Sequence, residues 1–324
     1  AYSLQIKIFL KGVLSNGVLI LDPDRELEKE IMALISSVPI KYGQQVKILL
    51  EEIFVKNKKK KTICCHQKAF SNKNISDSRE IAVAIKDHCN LDAIITNEKG
   101  KLYLATKGMP ISNVVALESY DESNFEKKRK RFFEEMPSMD SLPVEEFNEV
   151  IIRVVKFARW IRFFDPYIGR GTNVQSFYKG IEHILSLGKD SSYFISQDNI
   201  LVEIISSDAI DDDRRPIEAI ENGYERVKSQ LLKKLRRKFP DFKIELIIKD
   251  DTKTRIMHAR YLQTQISNIQ FDPGFDIFKN LNNSDKELRR LFVKIDNGNS
   301  EHLNECLQLP EIISTTNKNS STES

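Results

Sequence analysis

The chain lacks any run of about 18 apolar residues, the least a membrane-spanning helix needs, so the sequence predicts no transmembrane segment. It also lacks the basic n-region and small-residue cleavage pattern of a secretory signal; residues 1–10 alternate as a strand would. Cysteine is scarce, with only Cys64, Cys65, Cys89 and Cys306, and no CxxC pair occurs. Adjacent Cys64 and Cys65 form no ordinary bridge, and the spacings around Cys64, Cys65 and His66 fit no standard zinc site. Free thiols of a reducing compartment, hence a cytoplasmic protein, are the expectation. An excess of one charge is missing too: 50 Lys and Arg against 47 Asp and Glu leave +3. The total therefore neither selects nor excludes a nucleic-acid partner, and local distribution decides. No internal repeat is found.

What is present suits a globular protein. With 324 residues, 40% hydrophobic and 30% charged, the chain has material for two cores. Leu4–Leu10 and Gly17–Leu21 read as strands. Leu27, Ile31, Leu34 and Ile35 give Asp24–Ser36 a helical face, and Gln44–Val55 is a second helix. Thr62–His66 is expected to be a strand, Asp77–Cys89 a helix and Asp92–Thr96 a buried strand. This order predicts an α/β fold, a parallel sheet flanked by helices, over 1–125. Residues 126–143, densely charged and then proline-containing, read as a connecting helix and linker. A second α/β domain follows over 144–313. Its predicted elements are helices Val144–Ala158, Val174–Leu187 and Pro216–Phe239, strands Trp160–Phe164, Ile200–Ser206 and Phe242–Ile248, and paired strands within Thr254–Ile277. The Ser/Thr/Asn-rich tail, 314–324, is expected to be disordered.

Acids fall at element ends in the first half: Asp22 after the strand Val18–Leu21, Glu51 or Glu52 in the second helix, Asp77 opening the next, and Glu98 beyond the strand Asp92–Thr96. In open parallel sheets functional groups collect beyond the carboxyl ends of strands. Carboxylates converging there need a cation, and hard oxygen ligands suit Mg²⁺ or Mn²⁺. Such ions activate water and stabilise charge on a phosphodiester. Three of the four positions also have an ordinary reading: Asp77 as a helix cap, Asp22 before Pro23 as turn chemistry, Glu51 and Glu52 as a solvated helix face.

The segments Asp77-Ser-Arg-Glu-Ile-Ala-Val-Ala-Ile-Lys and Leu91-Asp-Ala-Ile-Ile-Thr-Asn-Glu98, with Val18-Leu-Ile-Leu-Asp22, resemble the acidic motifs of PIN-domain nucleases. The resemblance covers about residues 1–120. It implies a Mg²⁺- or Mn²⁺-dependent nuclease acting mostly on RNA, with DNA as the second candidate, whose metal ligands are Asp22, Glu52 (or Glu51), Asp77 and Glu98. Where the family has Thr-Asn after its first Asp this chain has Pro23-Asp24, so Asp24 shares or replaces that role; where Asp is usual it has Glu98. Lys58, Lys59, Lys60 and Lys61 are candidate phosphate contacts, or a solvated loop.

In the second half Trp160-Ile-Arg-Phe-Phe-Asp165-Pro-Tyr167, His258-Ala-Arg260 and Asp272-Pro-Gly274-Phe-Asp276 resemble the phospholipase-D-like domain ending microtubule-interacting-and-transport proteins. Catalytic phospholipase-D enzymes use His-x-Lys, the His as nucleophile; here a single His258-x-Arg260 would need a homodimer to complete two motifs. Arg still grips phosphate bidentately. The structural alternative is that His258 and Arg260 bond internally, with Asp165. Three functions follow: a metal-dependent ribonuclease with a sensing, binding or dimerising second domain; a dimeric metal-independent phosphodiesterase using His258; and a non-catalytic module for nucleic acid, phospholipid or protein. A toxin or phage-defence setting, with a regulatory partner, is an analogy from the resemblance alone.

Overall fold

The structure is a computed structural model that describes residues 2–22, 24–37, 40–64, 78–88, 91–133, 141–168, 174–189, 200–207, 227–251, 253–272, 275, 287–289, 292–296 and 301–314. It is mixed α/β, and the chain divides into two compact units, residues 1–135 with 191–196 and residues 136–190 with 197–324.

The first unit opens with α1 (Tyr2–Asn16), where a strand was expected over Leu4–Leu10. The alternation there is incidental. Ile6, Phe9, Leu10, Val13 and Leu14 recur at helical spacing and pack against Leu21, Val46, Leu50 and Ile53. β1 (Leu19–Leu21) leads through Asp22 into α2 (Glu26–Ser37) and α3 (Ile40–Glu51). A π-helical turn (Glu52–Lys56) and the four-residue α4 (Lys58–Lys61) then deliver β2 (Thr62–Cys64), which lies parallel to β1. α5 (Ser78–His88) and β3 (Ile94–Thr96) come next. After α6 (Glu98–Thr106), β4 (Val114–Ala116) pairs parallel to β3. The expected single parallel sheet is thus, among the described residues, two separate two-stranded parallel ladders. At three residues per strand each offers few backbone bonds, and helices supply most of the core. α7 (Asn124–Phe133) ends the described part of this unit.

The second unit is built on a seven-stranded mixed sheet. β5 (Ser141–Pro143) precedes α8 (Val144–Val155), β6 (Trp160–Phe164), α9 (Val174–Lys189) and β7 (Ile200–Ser207). A π-helical stretch (Lys228–Leu232) continues into α10 (Lys233–Lys238), then β8 (Phe242–Lys249). The hairpin β9 (Arg260–Thr264) and β10 (Asn268–Asp272) follows. β11 (Glu287–Arg289), β12 (Phe292–Asp296), α11 (Glu301–Gln308) and β13 (Glu311–Ser314) complete the unit. The strand order is β12-β10-β9-β6-β7-β8-β13, with β6, β7 and β8 mutually parallel and both flanks antiparallel. β5, read as linker, instead pairs with β11. Ser314, assigned to the tail, closes β13, and the tail after it lies outside the described residues. Alternate strand positions such as Ile161, Phe163, Val202, Ile204, Ile244 and Leu246 are buried, as a helix-covered sheet face requires. Among the described residues no helix is long and apolar enough to cross a membrane.

Candidate functional site

In the first unit Asp22 stands at the carboxyl end of β1 and is only 3% exposed. Its Oδ2 accepts the Glu26 N–H at 2.8 Å and its Oδ1 the Leu27 N–H at 3.0 Å. Its own carbonyl takes the Arg25 N–H at 3.2 Å. Arg25 is left-handed, φ 60°, which turns the next two amides onto the carboxylate. Asp22 is therefore the N-terminal anchor of α2, favoured by the free amides and the positive end of the helix. Two of its roughly four acceptor positions are occupied.

The other candidates are spread out. Asp24 is exposed. Glu51 is exposed on the last turn of α3. Glu52, half-buried, accepts Lys56 Nζ at 2.5 Å and the Asn57 amide at 3.4 Å. Glu98 is exposed in the first turn of α6, next to Asn97, whose Oδ1 accepts the Gly100 N–H at 2.7 Å and caps that helix. Asp77 lies outside the described residues, and α5 begins at the next position, Ser78. Among the described residues no three Asp, Glu, His or Cys side chains come together to hold an ion. The described acids by themselves do not fit a metal centre.

The lysine run is not one basic surface. Lys58 pairs with Glu28 at 3.0 Å. Lys61 is 7% exposed, with Nζ donating to the Ser15 carbonyl at 3.4 Å. Burial, aided by Lys60, pulls its pKa down to about 8. Only Lys59 and Lys60 of the four are exposed.

In the second unit the motif residues gather at the carboxyl end of β6. Asp165, 1% exposed, accepts the Tyr167 N–H on Oδ1 at 2.9 Å and donates its own N–H to Ile205 at 3.0 Å. Ser206 Oγ reaches the Ile168 carbonyl at 3.2 Å, so this turn is tied to β7. Phe164 pairs with Tyr261, which puts Asp165 one step on, opposite Arg260. The Arg260 guanidinium lies 4.6 Å from the Tyr167 ring centroid, a cation–π stack. His258 is exposed and precedes β9, since the strand begins at Arg260. The loop carrying it is shaped by Asp251, which accepts Thr254 Oγ1 at 2.6 Å and the amides of Ile256 and Met257 at 2.8 and 2.9 Å. An exposed imidazole two residues from a stacked guanidinium can meet an anionic ligand from solvent. Gly274 and Asp276 of the third motif lie outside the described residues.

Sequence reasoning missed Asn97 and Asp251, both of which shape backbone next to a candidate. It also missed a polar band on one sheet face. Arg162 on β6 pairs with Glu203 on β7, and its guanidinium lies 4.5 Å from the Trp160 ring. Glu203 is the register partner of Glu245 on β8, which Lys243 meets at 2.8 Å. A charged residue between two apolar ones in each strand, Ile161-Arg-Phe163 and Val202-Glu-Ile204, was the available signal. His183, bonded to Asn148 Oδ1 at 2.7 Å, and buried Cys306, whose thiol is pushed up to about 11 by burial, have structural surroundings. No family model, no curated protein and no solved structure matches the chain.

Proposed function

We propose that the protein is a Mg²⁺- or Mn²⁺-dependent ribonuclease whose first unit cleaves and whose second unit senses, binds or dimerises. The observation that carries this reading is placement: Asp22 and Glu98 follow two strands, β1 and β3, each in a parallel ladder, and Asp77 directly precedes α5. Asp22 keeps open acceptor positions beside its capping bonds. The metal requirement rests on the order of the acids and on Asp77. The test is cleavage of labelled single-stranded RNA and DNA with Mn²⁺, with EDTA, and by Asp77→Asn and Glu98→Gln variants. RNA cutting that needs the ion and is lost in Asp77→Asn is the expected result; RNA left intact by the unaltered protein with Mn²⁺ sinks the proposal.

A second reading is favoured by the stacked Arg260 beside Asp165 and the exposed His258: a metal-independent phosphodiesterase, dimeric if two His-x-Arg motifs are needed. Cleavage that survives EDTA and is abolished by His258→Ala supports it. Binding without cleavage, unaltered in Asp77→Asn, would make the chain a recognition module.

A further inference from the structure

We infer that the helical segment Lys228–Lys238 of the second unit, with Tyr178 beside it, is a binding surface for the phosphate backbone of single-stranded nucleic acid. This goes beyond the proposed cleavage site, and no residue of that site takes part.

From Val227 to Phe239 the chain carries six basic side chains and no acid. Apolar packing fixes which way they point. Val227, Leu231, Leu232, Leu235 and Phe239 are each no more than 2% exposed, so this face belongs to the core. Lys228, Lys233, Arg236, Arg237 and Lys238 are exposed as a result. A helix C-terminus attracts cations, which accounts for Arg236, Arg237 and Lys238 in the last turn. It does not account for Lys228, Lys233 and Lys234 further back. Among the described residues Glu182 pairs with Lys238 and bonds Tyr178, while Lys234 donates to the neutral Gln175 amide at 2.9 Å, and the weight of the surface falls on Lys233, Lys234 and Arg237. Arg236 is held by the Ile244 carbonyl at 2.6 and 2.9 Å, which keeps its charge.

The second observation is aromatic. Tyr178 on α9 is half-buried, and Lys234 Nζ lies 5.5 Å from its ring centroid. Backbone-tracking cations interleaved with a ring on which a base can stack is the recurring arrangement of sequence-tolerant single-strand binding. A membrane surface is the poorer fit. Interfacial helices insert an apolar face, and here that face is already consumed by the core.

The test is fluorescence anisotropy of the full chain with labelled RNA and DNA oligomers of about 12 nucleotides, within the range of single-strand site sizes. It is run in EDTA, which stops the metal-dependent cleavage, and the length of the oligomers is checked afterwards, so failure of the nuclease proposal leaves the result interpretable. Lys233→Gln with Arg237→Gln should weaken both oligomers about tenfold and lower the salt slope by about 1.4, at roughly 0.7 per phosphate contact. The charge-retaining Lys233→Arg with Arg237→Lys should bind as the unaltered protein does, which separates loss of contact from loss of fold. Tyr178→Ala should weaken binding with the slope unchanged. Affinity and slope unmoved by the double Gln variant would overturn the inference, as would binding to anionic vesicles but to neither oligomer.

Discussion

Lys61 is a buried cation in a helix of four lysines, and its three neighbours in the run face water or an acid. The side chain is buried, and among the described residues its ammonium reaches a carbonyl, Ser15 O, and no carboxylate. Burial therefore works against its charged form. Its folded-state pKa of about 8 lies below the usual 10.5, so the unfolded chain holds the extra proton between those values. Stability contributed through this group rises with pH across that window and is lost as pH falls through 8. Tyr120 acts in the opposite sense: burial first, then Glu126, raises its pKa well above 10, and its contribution falls above that pH. A difference between variants removes such background terms. Lys61→Met should be more stable than the unaltered protein at pH 7, by about 1–3 kcal/mol at 1.4 per pKa unit, and the gap should shrink toward pH 10. Urea unfolding across pH 7–10 measures this; a gap that does not change with pH would assign the effect to packing alone. Two further residues share a device: Asp22 and Asp251 each collect a pair of successive amides behind a left-handed arginine, Arg25 at φ 60° and Arg255 at φ 50°. Such outliers persist only where surrounding bonds over-determine them. Both occur at turns that carry a candidate functional residue.

At the scale of elements, the turn from β3 into α6 is the tightest support of a candidate acid. Asn97 caps the helix through the Gly100 N–H, and a Cβ on Gly100 would stand 2.1 Å from Thr96 Oγ1 and 3.3 Å from Asn97 Oδ1. Gly100→Ala must push Thr96 off its rotamer and disturb the cap. The expected cost is about 1–3 kcal/mol, the usual range for overpacking, with cleavage reduced because Glu98 follows the same turn. Thermal unfolding and cleavage measured together check it; an unchanged midpoint would mean that Thr96 rotates freely. Elements with a clear period were legible in the sequence. Trp160–Phe164, Ile200–Ser207 and the helix from Val174 follow from apolar spacing alone. α1 was misread because Leu4-Gln-Ile-Lys-Ile alternates locally, and the helical face emerges only when Val13 and Leu14 are included. β4 and β5 are three residues long and carry no period to read. The acid order was legible too, but capping by Asp22 and the ion pairs of Glu52 and Lys58 depend on chain reversals that spacing does not encode.

For the whole molecule, the division into two units gives a test of cooperativity that the sequence makes convenient. The single tryptophan, Trp160, lies on β6 of the second unit, beneath the Arg162 guanidinium. Its fluorescence reports that unit alone, whereas far-ultraviolet circular dichroism reports helices of both. Asp22→Ala removes the acceptor of two backbone amides at the start of α2, and leaving such donors unsatisfied costs about 1–3 kcal/mol. The core of Leu10, Leu21, Val46 and Ile53 that it supports belongs wholly to the first unit. If each unit unfolds on its own core, Asp22→Ala lowers the first transition seen by circular dichroism and leaves the tryptophan midpoint in place. Independent folding is the expected outcome, because each unit encloses its own apolar clusters. The same shift in both signals would instead make the chain one cooperative block. It would also change how cleavage variants are read, since a stability loss at Asp22 would then reach Arg260 and the basic helix through global unfolding.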